Sequence, residues 1–177
     1  MNLIVPVNQL ALGLANRPNS MSNEVYGYFE GSEVLDRNML LKSLEEKTGL
    51  GVKPIPLGEL YNYPTDMLPS DVEDCTAFII GDKPGKSNAT YLIDYIDYAP
   101  GADIGFPVEG RARLNLFINF LFTMIEEVKA KRFVVAITDS SQIEEVKTVN
   151  IAQLRSVITN DFAECDPPNC LYNVVVK

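Results

Sequence analysis

The chain has 177 residues, 46% of them hydrophobic and 22% charged, with a net charge of -9 and no histidine. That is enough apolar material to bury a core without a disulfide framework or a metal, and the acidic excess argues against nucleic acid and anionic membrane as partners. Without histidine there is no Ser-His-Asp or Cys-His machinery and no mixed Cys/His zinc site.

Asn2 to Val7 is apolar and opens the chain as a first expected strand. Pro6, Asn8 and Gln9 interrupt the apolar run and no basic residue precedes it, unlike a signal peptide. The apolar stretch Leu114–Ile125 is too short to span a bilayer, so a cytoplasmic location is expected. Val25 to Glu30 reads as a short strand. Val34, Leu35, Met39, Leu40, Leu41 and Leu44 then recur at helical spacing, with Ser32 as the expected cap and Thr48-Gly49 as the stop. The following VKPIPLGELYNYPTDMLPSD carries four prolines and is expected to be a loop or an edge strand.

Thr76 to Ile80 is β-favouring, Gly81 to Asn88 has turn composition, and Thr90 to Tyr98 is expected to complete a hairpin. Arg111 to Lys131 is the longest predicted helix. Its polar residues Arg111, Asn115, Asn119, Thr123 and Glu127 recur every four positions and define one solvent-facing stripe. Phe133 to Thr138 is a β-branched strand. Ser140 or Ser141 is the expected cap of a further helix through about Asn160, and Leu171 to Val176 closes the chain as a strand. The sum is a single α/β or α+β domain spanning 1–177, with a central mixed sheet and about three helices.

Several segments bear on chemistry. GDKPGKS, from Gly81, resembles a phosphate-binding loop, but its glycine spacing is one residue short and it is expected to open into strand rather than helix. Asp139 ends a strand, where capping explains an aspartate better than metal binding. Cys165 and Cys170 flank a Pro-Pro turn and, with Cys75, are expected as reduced thiols. No cofactor is implied.

The segment YLIDYIDYAPGAD places Tyr91, Asp94, Tyr95, Asp97, Tyr98 and Asp103 close together in the chain. As a strand, it would put Asp94 and Asp97 on opposite faces, which argues against a carboxylate dyad. The proline-rich stretch repeats this chemistry with Tyr61, Tyr63 and Asp66. Tyrosines offer rigid contact area and aspartates pair with Lys or Arg, so both segments are expected to grip a basic protein.

In size, charge, Tyr/Asp-rich segments and missing catalytic residues, the chain resembles a bacterial immunity protein. The resemblance implies an antitoxin that occludes the basic active site of a cognate toxin, such as a nuclease. Two other readings stand beside it. One is a histidine-free enzyme or ligand-binding protein using Asp82, Lys83, Lys86 and Asp139. The other is a structural subunit that forms a homo-oligomer.

Overall fold

The computed structural model describes residues 23–93, 106–107 and 109–176. Among them, six strands form one mixed sheet in the order β2-β3-β1-β4-β6-β5. The strands are β1 (Asn23–Glu30), β2 (Gly51–Ile55), β3 (Cys75–Gly81), β4 (Arg132–Asp139), β5 (Glu145–Asn150) and β6 (Cys170–Val175). The helices are α1 (Arg37–Thr48), the single turn α2 (Thr90–Ile93), α3 (Gly110–Val128) and α4 (Ile151–Glu164). All neighbouring strands run antiparallel except β5 and β6, a parallel pair joined through α4. The α+β reading therefore holds. The expected first strand, Asn2 to Val7, lies outside the described residues.

Alternation along the strands creates two cores. On one face Val25, Phe29, Phe78, Ile80, Phe133, Val135 and Ile137 meet the apolar sides of α1, α3 and α4. The three rings Phe29, Phe78 and Phe133 stack in series across β1, β3 and β4. Gly27 sits at the middle of β1, where an added Cβ would lie 2.0 Å from the Val134 carbonyl oxygen. On the opposite face, Tyr26, Tyr28, Ala77, Val134, Ala136 and Leu171 are covered by Leu60, Tyr63 and Met67 from the proline-rich stretch. That stretch is thus a structural cover. Its start is β2, the edge strand its prolines allowed, and its remainder makes two short 3₁₀ turns.

The cover is held by hydrogen bonds that the tyrosines make possible. Tyr63 donates its hydroxyl to the Tyr26 carbonyl at 2.8 Å, and Tyr28 donates to the Met67 carbonyl at 2.7 Å. Burial pushes all three tyrosine hydroxyls upward in pKa, Tyr26 to about 12. They stay neutral, Tyr63 and Tyr28 as donors and Tyr26 as acceptor of the Asn62 side-chain amide. Glu30 completes the attachment by accepting from both the amide and the hydroxyl of Ser70, each at 3.0 Å.

The two sheet edges differ. Val52 turns its amide away from β3 and donates to the Glu45 carboxylate at 3.1 Å. Two residues on, Pro54 has no amide to offer. The outward donors of β2 are therefore satisfied or missing, which protects that edge from further pairing. The β5 edge carries no equivalent plug in its own sequence, EVKTVN.

Two expected elements differ from the observed ones. The helix expected from Ser140 to Asn160 is a turn, then β5, then α4. Ser140 and Ser141 take left-handed φ of 51° and 62°, so neither caps a helix, and Asn150 caps α4 through its side chain. Thr90 to Ile93 is helix, not the second strand of a hairpin. Against these, α3 shows its predicted stripe: Arg111, Asn115 and Asn119 are exposed, while the apolar residues turn inward. Asn119 accepts from Arg155 of α4, and Glu127 pairs with Lys47 of α1, so the stripe also ties α3 to its neighbours.

α4 is fastened to the sheet by a polar cluster. Asp161, 8% exposed, accepts from the Tyr172 hydroxyl at 2.8 Å and the Lys147 ammonium at 2.7 Å. The bond to Asp161 raises the Lys147 pKa above its ordinary value, and burial raises that of Tyr172. The arrangement locks one helix to two strands and leaves neither group poised to accept a proton.

Candidate partner-binding surface

Of the residues expected to contact a partner, Asp94, Tyr95, Asp97, Tyr98 and Asp103 lie outside the described residues. Tyr61, Asp66 and Tyr91 are exposed. Tyr63 is not: at 5% exposure, with its hydroxyl bound to β1, it is a core residue of the second face. The exposed members that are described stand on different elements. Tyr61 and Asp66 lie on the cover, whereas Tyr91 lies on α2.

A different surface emerges where the β1–α1 connection meets the segment leading into β3. Gly31 donates its amide to the Asp74 carbonyl at 3.2 Å, and Arg37 pairs with the Asp74 carboxylate. Arg37 also reaches Thr76 at 3.5 Å. On the far side, Asp71 accepts the amides of Glu73 and Asp74 at 3.0 and 3.1 Å, fixing that segment as a tight turn. Between the two segments lies an open groove of about 570 Å³ lined by Ser32, Val34, Leu35, Asp36, Arg37, Asn38 and Thr76.

The local sequence explains why α1 starts where it does. Asp36, rather than Ser32, caps α1, accepting the Met39 amide at 2.9 Å. Ser32 instead donates its hydroxyl to the Val128 carbonyl at the end of α3. The helix therefore starts about one turn later than expected, which leaves Leu35 before α1 and Met39 in its first turn. Leu35 is 102% exposed, Met39 69% and Val72 64%. Leu41 and Leu44 alone of that apolar run are fully buried in α1. The two segments carry five carboxylates, Glu33, Asp36, Asp71, Glu73 and Asp74, and the guanidinium of Arg37 that pairs with Asp74. An apolar centre with a charged rim is the anatomy of a protein contact surface.

Two residues of the enzyme reading, Asp82 and Asp139, are engaged locally. Asp82 accepts the amides of Tyr91 and Leu92 at 3.3 and 2.9 Å, so it caps α2. Burial pushes its carboxyl up to about 6 despite those bonds. The short glycine spacing still sets the loop apart from a phosphate-binding loop, but among the described residues the strand expected after it is not there. A helical turn does follow the loop, but the Asp82 carboxylate already holds its amides. Gly51 and Gly81 are needed because the Lys86 carbonyl packs directly over both, leaving an added Cβ at 2.6 and 2.1 Å from it. Lys83 and Lys86 are exposed. Asp139 accepts from the adjacent Ser140 hydroxyl, and its amide is bound by Asn169. Among the described residues no cluster of Cys, Asp and Glu is arranged to hold a metal ion, and no helix is long and apolar enough to cross a membrane. The three cysteines are free thiols.

No protein-family model, curated protein or solved structure matches this chain.

Proposed function

We propose that this chain is a binding protein that captures a basic protein partner and neutralises it by occlusion, in the manner of a toxin inhibitor. The observation that supports this most is the solvent exposure of Leu35 and Met39 where the β1–α1 connection, with Glu33 and Asp36, meets the acidic Asp71–Asp74 segment. Two apolar side chains held out at a helix start gain nothing in the isolated chain, and a partner that buries them supplies the missing contact. The rim selects for lysine and arginine around that contact, speeds encounter and fixes orientation. Arg37, paired with Asp74, keeps the two acidic segments in register so that the rim is preformed.

The test is a capture from lysate of the native host with the tagged chain, followed by reconstitution of the purified pair. A single stoichiometric basic partner is expected, whose own activity falls when this chain is added. Leu35→Ala with Met39→Ala is expected to weaken the pair at least thirtyfold, about 2 kcal/mol of hot-spot energy, without changing the melting temperature. Added salt is expected to slow association. A partner that is not basic, or one held equally well by the double variant, would overturn the reading.

A further inference from the structure

Among the described residues no strand lies beyond β5, the last strand of the sheet. Glu145 donates its amide to the Asn169 carbonyl, the first rung of the parallel β5–β6 ladder, whose register sets Glu145 against Cys170 and Lys147 against Tyr172. In a parallel ladder, alternate residues bond the neighbour with both their backbone groups. Glu145, Lys147 and Val149 therefore face β6. Val146 and Thr148 direct their N–H and C=O outward.

The side chains follow the same alternation. Val146 and Thr148 share a face with Leu171, Asn173 and Val175. That is the face opposite the helices, and the cover over it is built on β1, β3, β4 and Leu171. Beyond Leu171 it leaves Val146 at 37% and Val175 at 41% exposure. Glu145 and Lys147 stand on the helical face, 3.2 Å apart as an ion pair, with the Glu145 carboxylate 61% exposed.

We propose that β5 pairs antiparallel with β5 of a second copy of this chain, about a two-fold axis at Val146. Only outward-facing residues can exchange hydrogen bonds, which limits the symmetric registers over this strand to three. Centring on Lys147 sets two ammonium groups opposite each other. Centring on Thr148 opposes no charges. Centring on Val146 sets Glu145 of each chain against Lys147 of the other, twice, and places the two Val146 side chains together on the uncovered face. Opposite charges directly across strands stabilise a ladder and like charges destabilise it, so charge complementarity selects the second copy and this register. The contact is small and so is expected to be weak, forming in the micromolar range.

The experiment is sedimentation velocity on the full chain from about 1 to about 500 µM, spanning the range in which small interfaces dissociate. The wild type is expected to pass from monomer to dimer. Val146→Pro removes the outward amide without touching a β6 bond, and Val146→Lys places a charge on the edge. Both are expected to stay monomeric with an unchanged far-UV spectrum. Glu145→Lys leaves the backbone untouched and gives up only the exposed ion pair with Lys147, which keeps the test valid if the Val146 variants fold poorly. It is expected to weaken the dimer at least tenfold. A wild type that is monomeric throughout, or a dimer that Glu145→Lys leaves at full strength, would overturn the proposal. Partner capture through Leu35 and Met39 uses another surface, so either result leaves that reading separately testable.

Discussion

Replacing Asp161 by alanine is the sharpest probe of what holds α4 to the sheet. The carboxylate accepts two bonds, from Tyr172 at 2.8 Å and Lys147 at 2.7 Å. Tyr172 is fully buried, so losing its acceptor leaves a hydroxyl with only the weak Cys170 thiol beside it. A buried donor left without a good acceptor costs about 1–3 kcal/mol. The bond to Lys147 is charge-assisted but its ammonium is 26% exposed and can recover water, so its loss adds about 1 kcal/mol. The total for Asp161→Ala is about 3 kcal/mol, read as a shift in the urea midpoint by circular dichroism. The decisive variant is the double one. Tyr172→Phe alone removes a satisfied bond and destabilises. In the Asp161→Ala background it removes an orphaned hydroxyl and should restore about 1–2 kcal/mol. If Tyr172→Phe destabilises equally in both backgrounds, the two groups are not coupled and the account of the cluster is wrong.

Two further predictions address the sheet and its edge. Gly27→Ala drives a Cβ into the β4 backbone at 2.0 Å, where neither strand can retreat without breaking the ladder. It should cost about 3 kcal/mol, the upper end for overpacking, and a melting temperature within two or three degrees of wild type would refute it. Asp82 gives a pH dependence. Its folded pKa, about 6, lies above its ordinary 3.8, so the folded state holds the proton more tightly. The contribution of Asp82 to stability should therefore be fullest below its ordinary 3.8, fall as pH rises to about 6, and level off above. Asp82→Asn should flatten that fall in denaturant titrations. A variant with the wild-type slope would mean that another group carries it.

Much of the fold was legible in the sequence because burial imposes period. β1, β3, β4 and β6 lie within two residues of where β-favouring runs place them, and α3 shows the polar stripe its four-residue spacing describes. β5 was hidden because edge strands carry little pattern. Of its six residues only Val149 is fully buried, so EVKTVN merges with the helical composition that follows. α2 was misread because Tyr91 and Ile93 favour strands, while the determinant of the turn is the Asp82 carboxylate, eight residues before Thr90. The surface was legible in chemistry but not in place. Leu35 and Met39 fit the spacing of core leucines, yet Leu35 falls before the Asp36 cap and Met39 in the first turn of α1, and both are exposed. Tyr63 is the converse case. Composition cannot tell a tyrosine offered to a partner from one whose hydroxyl ties down a loop.

The unequal treatment of the two sheet edges limits how far the chain can polymerise. On β2, the Glu45 carboxylate and the ring of Pro54 remove the outward donors, so a strand arriving there finds no donor amides to extend the ladder. Among the described residues, each molecule then keeps one edge, β5, with outward donors, a hydrogen-bonding valence of one at the edge proposed to pair with a second copy. Two units of valence one saturate each other, whereas a head-to-tail chain needs two. A continuous cross-strand fibre is thereby disfavoured by a single carboxylate and a single ring.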